Sequence, residues 1–351
     1  MSARFLTVVL ERAFNMRDGF GREIDYMRIS VIDSCNLNCY YCNPCDNNEH
    51  CHALNILSVK EVLCIVRAAT RLGIKHFRLT GGEPLLHPQL DEMVLQIKKI
   101  PGVSSVSLTT NAVLLAQHAK WLKEAGIDSI NVSLDTIDAS EYERITKKPL
   151  LEEVKHGINA AIECGIRVKI NVVLTPQTDV VALTRYVAKK GTDIRFIEMM
   201  PVGEGHTNGV EPYKKVIGTL SKLYGEPCRI NTEKTKEINS GNDKRKIPDN
   251  GPAEYYIFPE LGIRVGLIQA IHGKFCDTCN RIRVTADGRL MPCLGSSVTM
   301  DLVPDSWDFA DDVEKDFAIV RALRAAIKAK PRCHNFNDNA VTYTKTTETK
   351  T

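Results

Sequence analysis

No stretch of this 351-residue sequence approaches the length of a membrane span. Val8-Val9-Leu10 is halted at once by Glu11 and Arg12. The start of the chain also lacks the apolar core and small-residue cleavage site of a secretory signal. Charge of one sign is scarce: 46 Lys and Arg against 43 Asp and Glu leave a formal net charge of +3. That bias is too weak for a nucleic-acid partner, yet a few cations gathered at one anionic ligand would fit it. Internal repeats are missing too. At 43% hydrophobic and 25% charged, the composition is that of a soluble globular protein, long enough for one large domain or a barrel with an appended module. The expectation is a cytoplasmic protein with no membrane partner.

Cysteine, by contrast, is plentiful, with twelve in all. A disulfide framework suits short secreted domains, and nothing here reads as secreted. In a reducing compartment, clustered cysteines bind metal or do chemistry, and these are clustered. Cys35, Cys39, Cys42, Cys45 and Cys51 crowd one segment, and Cys276, Cys279 and Cys293 another. Cys64, Cys164, Cys228 and Cys333 are scattered singly and read as small hydrophobes.

Between the two groups, short β-rich runs alternate with amphipathic helical runs. Strands are predicted at Arg28–Asp33, His76–Gly81, Ser105–Thr110, Ser129–Asp135, Val168–Leu174 and Ile194–Met200. Helices are predicted at Ser58–Leu72, Ala116–Ala125, Leu151–Cys164 and Asp179–Lys190. The first opens on a capping box, Ser58-Val-Lys-Glu61. Gly73, Gly126, Gly165 and Gly191 stand where a left-handed residue would close each helix. Such alternation makes right-handed βαβ units on a parallel sheet. Six units are too few for a closed eight-fold barrel, so the predicted fold class is α/β, a partial (βα)6 barrel of TIM type. Informative residues fall at the carboxyl ends of the strands, where such folds bind ligands.

Beyond Gly203 the pattern changes. Asn231–Pro252 reads as a polar excursion. Tyr255–Phe258 with Ile263–Ile268 reads as one hairpin, and Asn280–Thr285 with Arg289–Cys293 as another. Val313–Lys330 is helical in pattern, and Thr342–Thr351 has a disordered composition. The domain division is therefore 1–20 as an N-terminal segment, 21–203 as the barrel, 204–336 as an α+β extension carrying the second cysteine group, and 337–351 as a disordered tail.

Cys35-Asn-Leu-Asn-Cys39-Tyr-Tyr-Cys42 is a CxxxCxxC spacing directly after a strand. Three thiolates on a tight loop can hold three irons of a [4Fe–4S] cube and leave the fourth open to a ligand. Zinc is the alternative, with Cys45 as a fourth ligand. Cys276-Asp-Thr-Cys279 and Cys293 give a second triplet, with a zinc ribbon completed by His272 as its alternative. Within the second triplet, Arg281 and Arg283 flank one Ile, so both guanidiniums point to one face. Such a pair makes a phosphate clamp, or else a pair of solvated surface arginines.

The first triplet resembles the signature of the radical S-adenosylmethionine (SAM) superfamily, and Gly81-Gly-Glu-Pro84 resembles that superfamily's glycine-rich motif. Phe275-Cys-Asp-Thr-Cys-Asn-Arg-Ile-Arg-Val284 with Asp287-Gly-Arg-Leu290 is similar to the C-terminal cluster motif of the GTP 3′,8-cyclases of molybdenum cofactor biosynthesis. Segments around Gly21–Asn36, Arg78–Leu86, Arg195–Gly203 and Lys330–Phe336 are similar as well, so the resemblance spans about Gly21 to Phe336. It implies two [4Fe–4S] clusters, one on Cys35, Cys39 and Cys42 and one on Cys276, Cys279 and Cys293, together with SAM. By the same resemblance SAM is held at the Tyr41 main chain, Gly82, Ser133 and Met200. GTP is held at Arg28, Arg78, Thr109, Lys169, Arg281 and Arg283, of which Lys169, Arg281 and Arg283 are also the catalytic candidates. It further implies a lyase that uses a 5′-deoxyadenosyl radical to join ribose C3′ to guanine C8. A flavodoxin or ferredoxin as reductant, a downstream pyranopterin-forming enzyme and a homodimer are the partners it brings with it.

The sequence departs from the family in two places. Members end in a tail closing with two glycines, whereas this chain has no glycine after Gly295 and ends in a threonine-rich run. Cys45 and Cys51, with His50 and His52, thicken the loop after the first triplet. Two other readings accommodate these departures: a radical SAM paralogue acting on another nucleotide or a peptide, and a non-catalytic iron–sulfur carrier or sensor.

Overall fold

A computed structural model of the chain describes residues 16–42, 55–202, 205–206, 209–230, 251–296, 298–302 and 312–336. Cys45, His50, Cys51, His52, positions 231–250 of the polar excursion and the tail from 337 lie outside the described residues.

Ser58 opens the first helix as its sequence predicts. Its hydroxyl accepts from the Glu61 backbone N–H at 3.3 Å, and Glu61 Oε2 accepts from the Ser58 N–H at 2.7 Å. A cap of this kind stabilises a helix by about 1 kcal/mol. The helix, α1 (Val59–Arg71), buries Val62, Ile65, Val66 and Ala69, and ends where Gly73 adopts φ 86°. Six strands alternate with helices along the chain: β1 (Tyr26–Ser30), α1, β2 (His76–Thr80), α2 (Leu90–Lys98), β3 (Ser105–Thr110), α3 (Leu115–Glu124), β4 (Ser129–Ser133), α4 (Ala139–Thr146), α5 (Leu151–Glu163), β5 (Val168–Val173), α6 (Val180–Lys189) and β6 (Asp193–Ile197). The predicted strands stand within three residues of their expected bounds. Helices α2 and α4 were not predicted. At nine and eight residues they are too short for apolar periodicity to stand out.

The last third does more than extend the barrel. After α7 (Gly218–Tyr224) come β7 (Cys228–Ile230), β8 (Glu254–Ile257), β9 (Arg264–Ile268), β10 (Arg281–Val284), β11 (Arg289–Met291), β12 (Met300–Asp301) and α8 (Asp312–Lys328). Both expected hairpins form, β8–β9 and β10–β11 being antiparallel pairs. Yet β9 also pairs parallel to β6, and β10 parallel to β1. One twelve-stranded sheet results, in the order β12-β11-β10-β1-β2-β3-β4-β5-β6-β9-β8-β7. Its eight central strands, β10 through β9, are all parallel. The sheet therefore crosses the boundary drawn at 203, because strand pairing is settled by edges left open in space and not by order along the chain. Helix α8 lies against α1, where Arg71 and Asp316 pair at 2.8 Å.

The outer face of the sheet is apolar and fully covered, with Met27, Ile29, Phe77, Leu79, Ile170 and Phe196 among the core side chains. Among the described residues no helix is long and apolar enough to cross a membrane.

Candidate active site

Side chains alternate across a strand, so covering one face of β1 with Met27 and Ile29 sends Tyr26 and Arg28 to the other. The same parity sends Arg78 of β2, Thr109 of β3, Asn131 of β4, Lys169 and Asn171 of β5, Arg195 of β6, and Arg281 and Arg283 of β10 to that inner face. All of them line one cavity of about 220 Å³, so the sheet curls around it. Barrel interiors of this type are ordinarily filled with branched apolar side chains. This one is polar and cationic.

Register sharpens the point. Arg28 faces Arg283 on one side and Arg78 on the other, so three guanidiniums stand abreast on adjacent strands. Burial, reinforced by Arg283, holds the Arg28 guanidinium well below its ordinary pKa. Its Nε is buried without a hydrogen-bond partner, as is Nη2 of Arg195. Buried donors are normally satisfied, so such orphans mark where a ligand's acceptors belong. Arg78 is better held: Nη1 donates to the Leu108 carbonyl at 3.1 Å and the Thr109 hydroxyl at 3.4 Å, and Nε donates to the Tyr26 hydroxyl. Burial alone would push the Tyr26 phenol up, but Arg78 and Arg28 outweigh it and draw it down. Lys169 is buried, its Nζ 3.5 Å from the Tyr255 hydroxyl and 5.7 Å from that ring's centroid.

The cysteine triplets lie at opposite ends of the parallel strands that wall this cavity. Cys35 follows the carboxyl end of β1. Cys279 precedes the amino end of β10, and β11 runs back antiparallel so that Cys293 returns to the same end. Five strand residues between the mouths span about 16 Å.

At the carboxyl mouth the loops after β1, β2 and β3 are tied together by Glu83. Its buried carboxylate accepts from the Thr110 hydroxyl and the Asn111 N–H, both at 2.7 Å, and from the Leu85 N–H at 3.0 Å. Asn111 in turn donates to Asn36 at 2.7 Å and reaches Cys35 Sγ at 3.8 Å. Gly82 is wedged under the Cys35 loop, where a Cβ would stand 2.1 Å from the Ser34 carbonyl oxygen. Burial and then the Asp135 carboxylate push the Cys39 thiol up to about 12 and the Cys42 thiol up as well. Asp135 is itself pushed up to about 6 by burial, against the pull of hydrogen bonds from Tyr41 and the Val173 N–H. Tyr41 and Ser133 share a small pocket with Cys39, while Met200 lines the large cavity. Gly205 packs between the Met200 and Tyr41 carbonyls, its ideal Cβ 2.7 and 3.6 Å from them. The four residues expected around SAM thus converge on this mouth.

At the other mouth Cys276, Cys279 and Cys293 line the cavity floor. Here the field is reversed. Burial would push the Cys279 thiol up, but Arg281 and Lys330 overcome it and bring it down to about 7. Arg281 Nη2 lies 3.5 Å from Cys279 Sγ, and its guanidinium stacks 4.9 Å from the Phe275 ring centroid. Arg22, ion-paired with Asp18, holds the Cys276 carbonyl at 2.7 Å and the Arg332 carbonyl at 2.8 Å. His272, the fourth ligand in the zinc-ribbon alternative, gives its Nδ1 to the buried Glu198. Among the described residues, no three His, Cys, Asp or Glu side chains surround a point as ligands of one metal ion. All six triplet cysteines are free thiols.

Two family descriptions match the chain: the radical SAM superfamily over residues 29–182, and Molybdenum Cofactor Synthesis C over 192–336. The GTP 3′,8-cyclase of Clostridium perfringens (strain SM101 / Type A) is 35% identical over 324 residues, 92% of this chain and 95% of that protein. The chain belongs to the GTP 3′,8-cyclase family. The cyclase of Pelotomaculum thermopropionicum is 36% identical over 327 residues, 91% of this chain and 95% of that one. In fold, the chain is similar to native anSMEcpe with bound AdoMet, at a TM-score of 0.52 and 16% identity, covering 85% of this chain and 82% of that one. It is also similar to Streptococcus suis SuiB bound to S-adenosylmethionine, at 0.53 and 16%, covering 85% of this chain and 65% of SuiB, just under two thirds of its length.

As a radical SAM enzyme of the cyclase family, the protein takes a [4Fe–4S] cluster and SAM. The first triplet fits that pair. Three free thiols share one loop, and Gly82 leaves its backbone bare beside them. Reading the sequence alone overlooked Tyr26, Arg195 and Lys330, which face the same cavity. Asp193-Ile-Arg195 carries the same charged–apolar–charged alternation as Arg281-Ile-Arg283.

Proposed function

We propose that the protein is a GTP 3′,8-cyclase, a lyase that joins ribose C3′ of GTP to guanine C8 in molybdenum cofactor biosynthesis. The observation that carries this reading is the row of Arg283, Arg28 and Arg78, with Lys169 and Arg281, facing one cavity between two cysteine triplets. Clustered guanidiniums repel one another and cost stability, so a polyanion is the ligand that makes such a floor favourable. Arginine forks suit phosphate oxygens and keep their charge on burial.

In this reading Cys35, Cys39 and Cys42 hold the first [4Fe–4S] cluster, and Cys276, Cys279 and Cys293 a second. When bound there, the first cluster and SAM would supply the radical chemistry, a 5′-deoxyadenosyl radical. Tyr41, Gly82, Ser133 and Met200 seat SAM at the carboxyl mouth. Arg28, Arg78, Arg281, Arg283 and Lys169 bind the triphosphate, with Thr109 beside it, and present the ribose toward that mouth. Lys169, Arg281 and Arg283 are the catalytic candidates, because they reach the reacting nucleotide from the floor. A small reductant protein, flavodoxin-like or ferredoxin-like, supplies electrons.

The test is anaerobic turnover of reconstituted protein with SAM, a strong reductant and GTP, read by mass spectrometry. Formation of 5′-deoxyadenosine together with a cyclised isomer of GTP is the expected result. Formation of 5′-deoxyadenosine with GTP unchanged would move the search to another nucleotide or a peptide.

A further inference from the structure

Lys330 stands two residues beyond α8, and its side chain runs inward until the residue is only 3% exposed. Its ammonium donates to the Arg281 carbonyl and to the Pro292 carbonyl, each at 2.9 Å. Arg281 lies two residues after Cys279, and Pro292 immediately precedes Cys293. The ammonium is thus fixed between the segments that present two thiols of the second triplet, close enough for Cys279 and Cys293 to act on its charge. Among the described residues no carboxylate pairs with it, and the nearby Arg22 is a further cation.

A buried ammonium that meets only carbonyls and thiols is expensive to keep unless an anion stands beside it. Pinning two carbonyls would not demand a full charge, since a neutral donor could do it. The anion on offer is the thiolate triplet. The other mouth supplies the contrast: among the described residues, the charged side chains that act on the first triplet's thiols are the carboxylates Asp135 and Glu83.

We propose that Lys330 is the fixed counter-charge of the second triplet: a positioning residue that clamps the Cys279 and Cys293 segments together and raises the reduction potential of the cluster they ligate. The proposal rests on the reading that this triplet carries an iron–sulfur cluster. A positive charge held beside a cluster favours its reduced, more negative form, and net charge and hydrogen bonding to the sulfurs are the protein's main levers on such potentials. The same ammonium lines the cavity floor, so it belongs to the wall that substrate meets.

The experiment compares Lys330→Met and Lys330→Arg with the parent, all in a Cys39→Ala background so that only the second cluster reports. Each protein is reconstituted anaerobically, its iron and sulfide are counted, and its potential is titrated by electron paramagnetic resonance. Lys330→Met should shift the midpoint to a more negative value, with Lys330→Arg near the parent. Loss of the cluster in Lys330→Met but not in Lys330→Arg supports the charge requirement equally. A cluster retained in Lys330→Met at the parent potential overturns the proposal, and so does equal loss in both variants. Should the Cys39→Ala parent hold no iron at all, the reading of the second triplet falls first, and the result is told apart from a failure at Lys330 by that parent measurement.

Discussion

Arg28 and Arg283 are register partners on the parallel strands β1 and β10, two like charges set abreast on the wall of one cavity. Like charges at this spacing oppose folding, and the orphaned Nε of Arg28 adds a second cost. The fold tolerates both because its other contacts are ample. The floor is built for a ligand and not for stability.

Removing one of the pair should therefore separate binding from stability. Arg283→Ala is expected to weaken GTP binding by about 1.5–3 kcal/mol, the value of a lost charged hydrogen bond, or roughly tenfold to a hundredfold in Kd. Cleavage of SAM in the absence of GTP should be unchanged, and the ligand-free protein should melt no lower than wild type. Anaerobic calorimetry and 5′-deoxyadenosine quantitation measure the two halves. Wild-type affinity in this variant would place the triphosphate elsewhere.

Cys39→Ala should abolish SAM cleavage while leaving the cationic floor intact. GTP affinity, measured on the same protein, is expected to stay within about twofold of wild type, since the two mouths are ~16 Å apart.

Gly82→Ala tests the wedge beneath the Cys35 loop. A methyl group 2.1 Å from the Ser34 carbonyl oxygen forces backbone apart, because no flexible side chain can yield there. Iron content should fall at the first triplet and not the second, giving about half the wild-type iron on reconstitution. Gly218→Ala, where φ is −60° and nothing lies within 4 Å, provides a control without a clash.

The Asp135 carboxyl has a pH consequence of definite sign. Its folded pKa is raised to about 6 from 3.8, so between those values the folded state binds the proton more tightly than the unfolded chain. Its contribution is favourable at acid pH and is lost as pH rises through the window from about 4 to 6. At 1.36 kcal/mol per unit this amounts to about 3 kcal/mol at most. Urea unfolding of cluster-free protein should show that fall in wild type, and a flatter profile in Asp135→Asn. Equal slopes in the two proteins would remove Asp135 from the account.

Much of this arrangement was legible in the residues. Period-two alternation located β1 through β6, and Ser58 with Glu61 fixed the start of α1. Cysteine spacing and Gly81-Gly-Glu-Pro84 marked two loops that the fold brings together at one mouth, because a tight loop after a strand constrains spacing strongly. What could not be read was the destination of β9 and β10. Their sequences announce hairpins, and only the open edges of β6 and β1 turn those hairpins into barrel wall. Lys330 escaped for a similar reason: its neighbours in space, Arg281 and Pro292, are 49 and 38 positions away in sequence.

The pairing of β1 with β10 also governs how the molecule is made. Tyr26 meets Arg281 only after 254 intervening positions have emerged, and β6 waits likewise for β9. Contacts of such high order are slow to form, since loop closure must precede any gain from pairing. Until then a nascent chain ending near position 203 exposes two unpaired strand edges, the usual template for aggregation. The proposed cluster on the second triplet would be inserted later still, because its three thiols first share a mouth when β10 and β11 dock against β1. Maturation of this protein therefore has a fixed order, with the late-synthesised strands closing the barrel before its floor can be furnished.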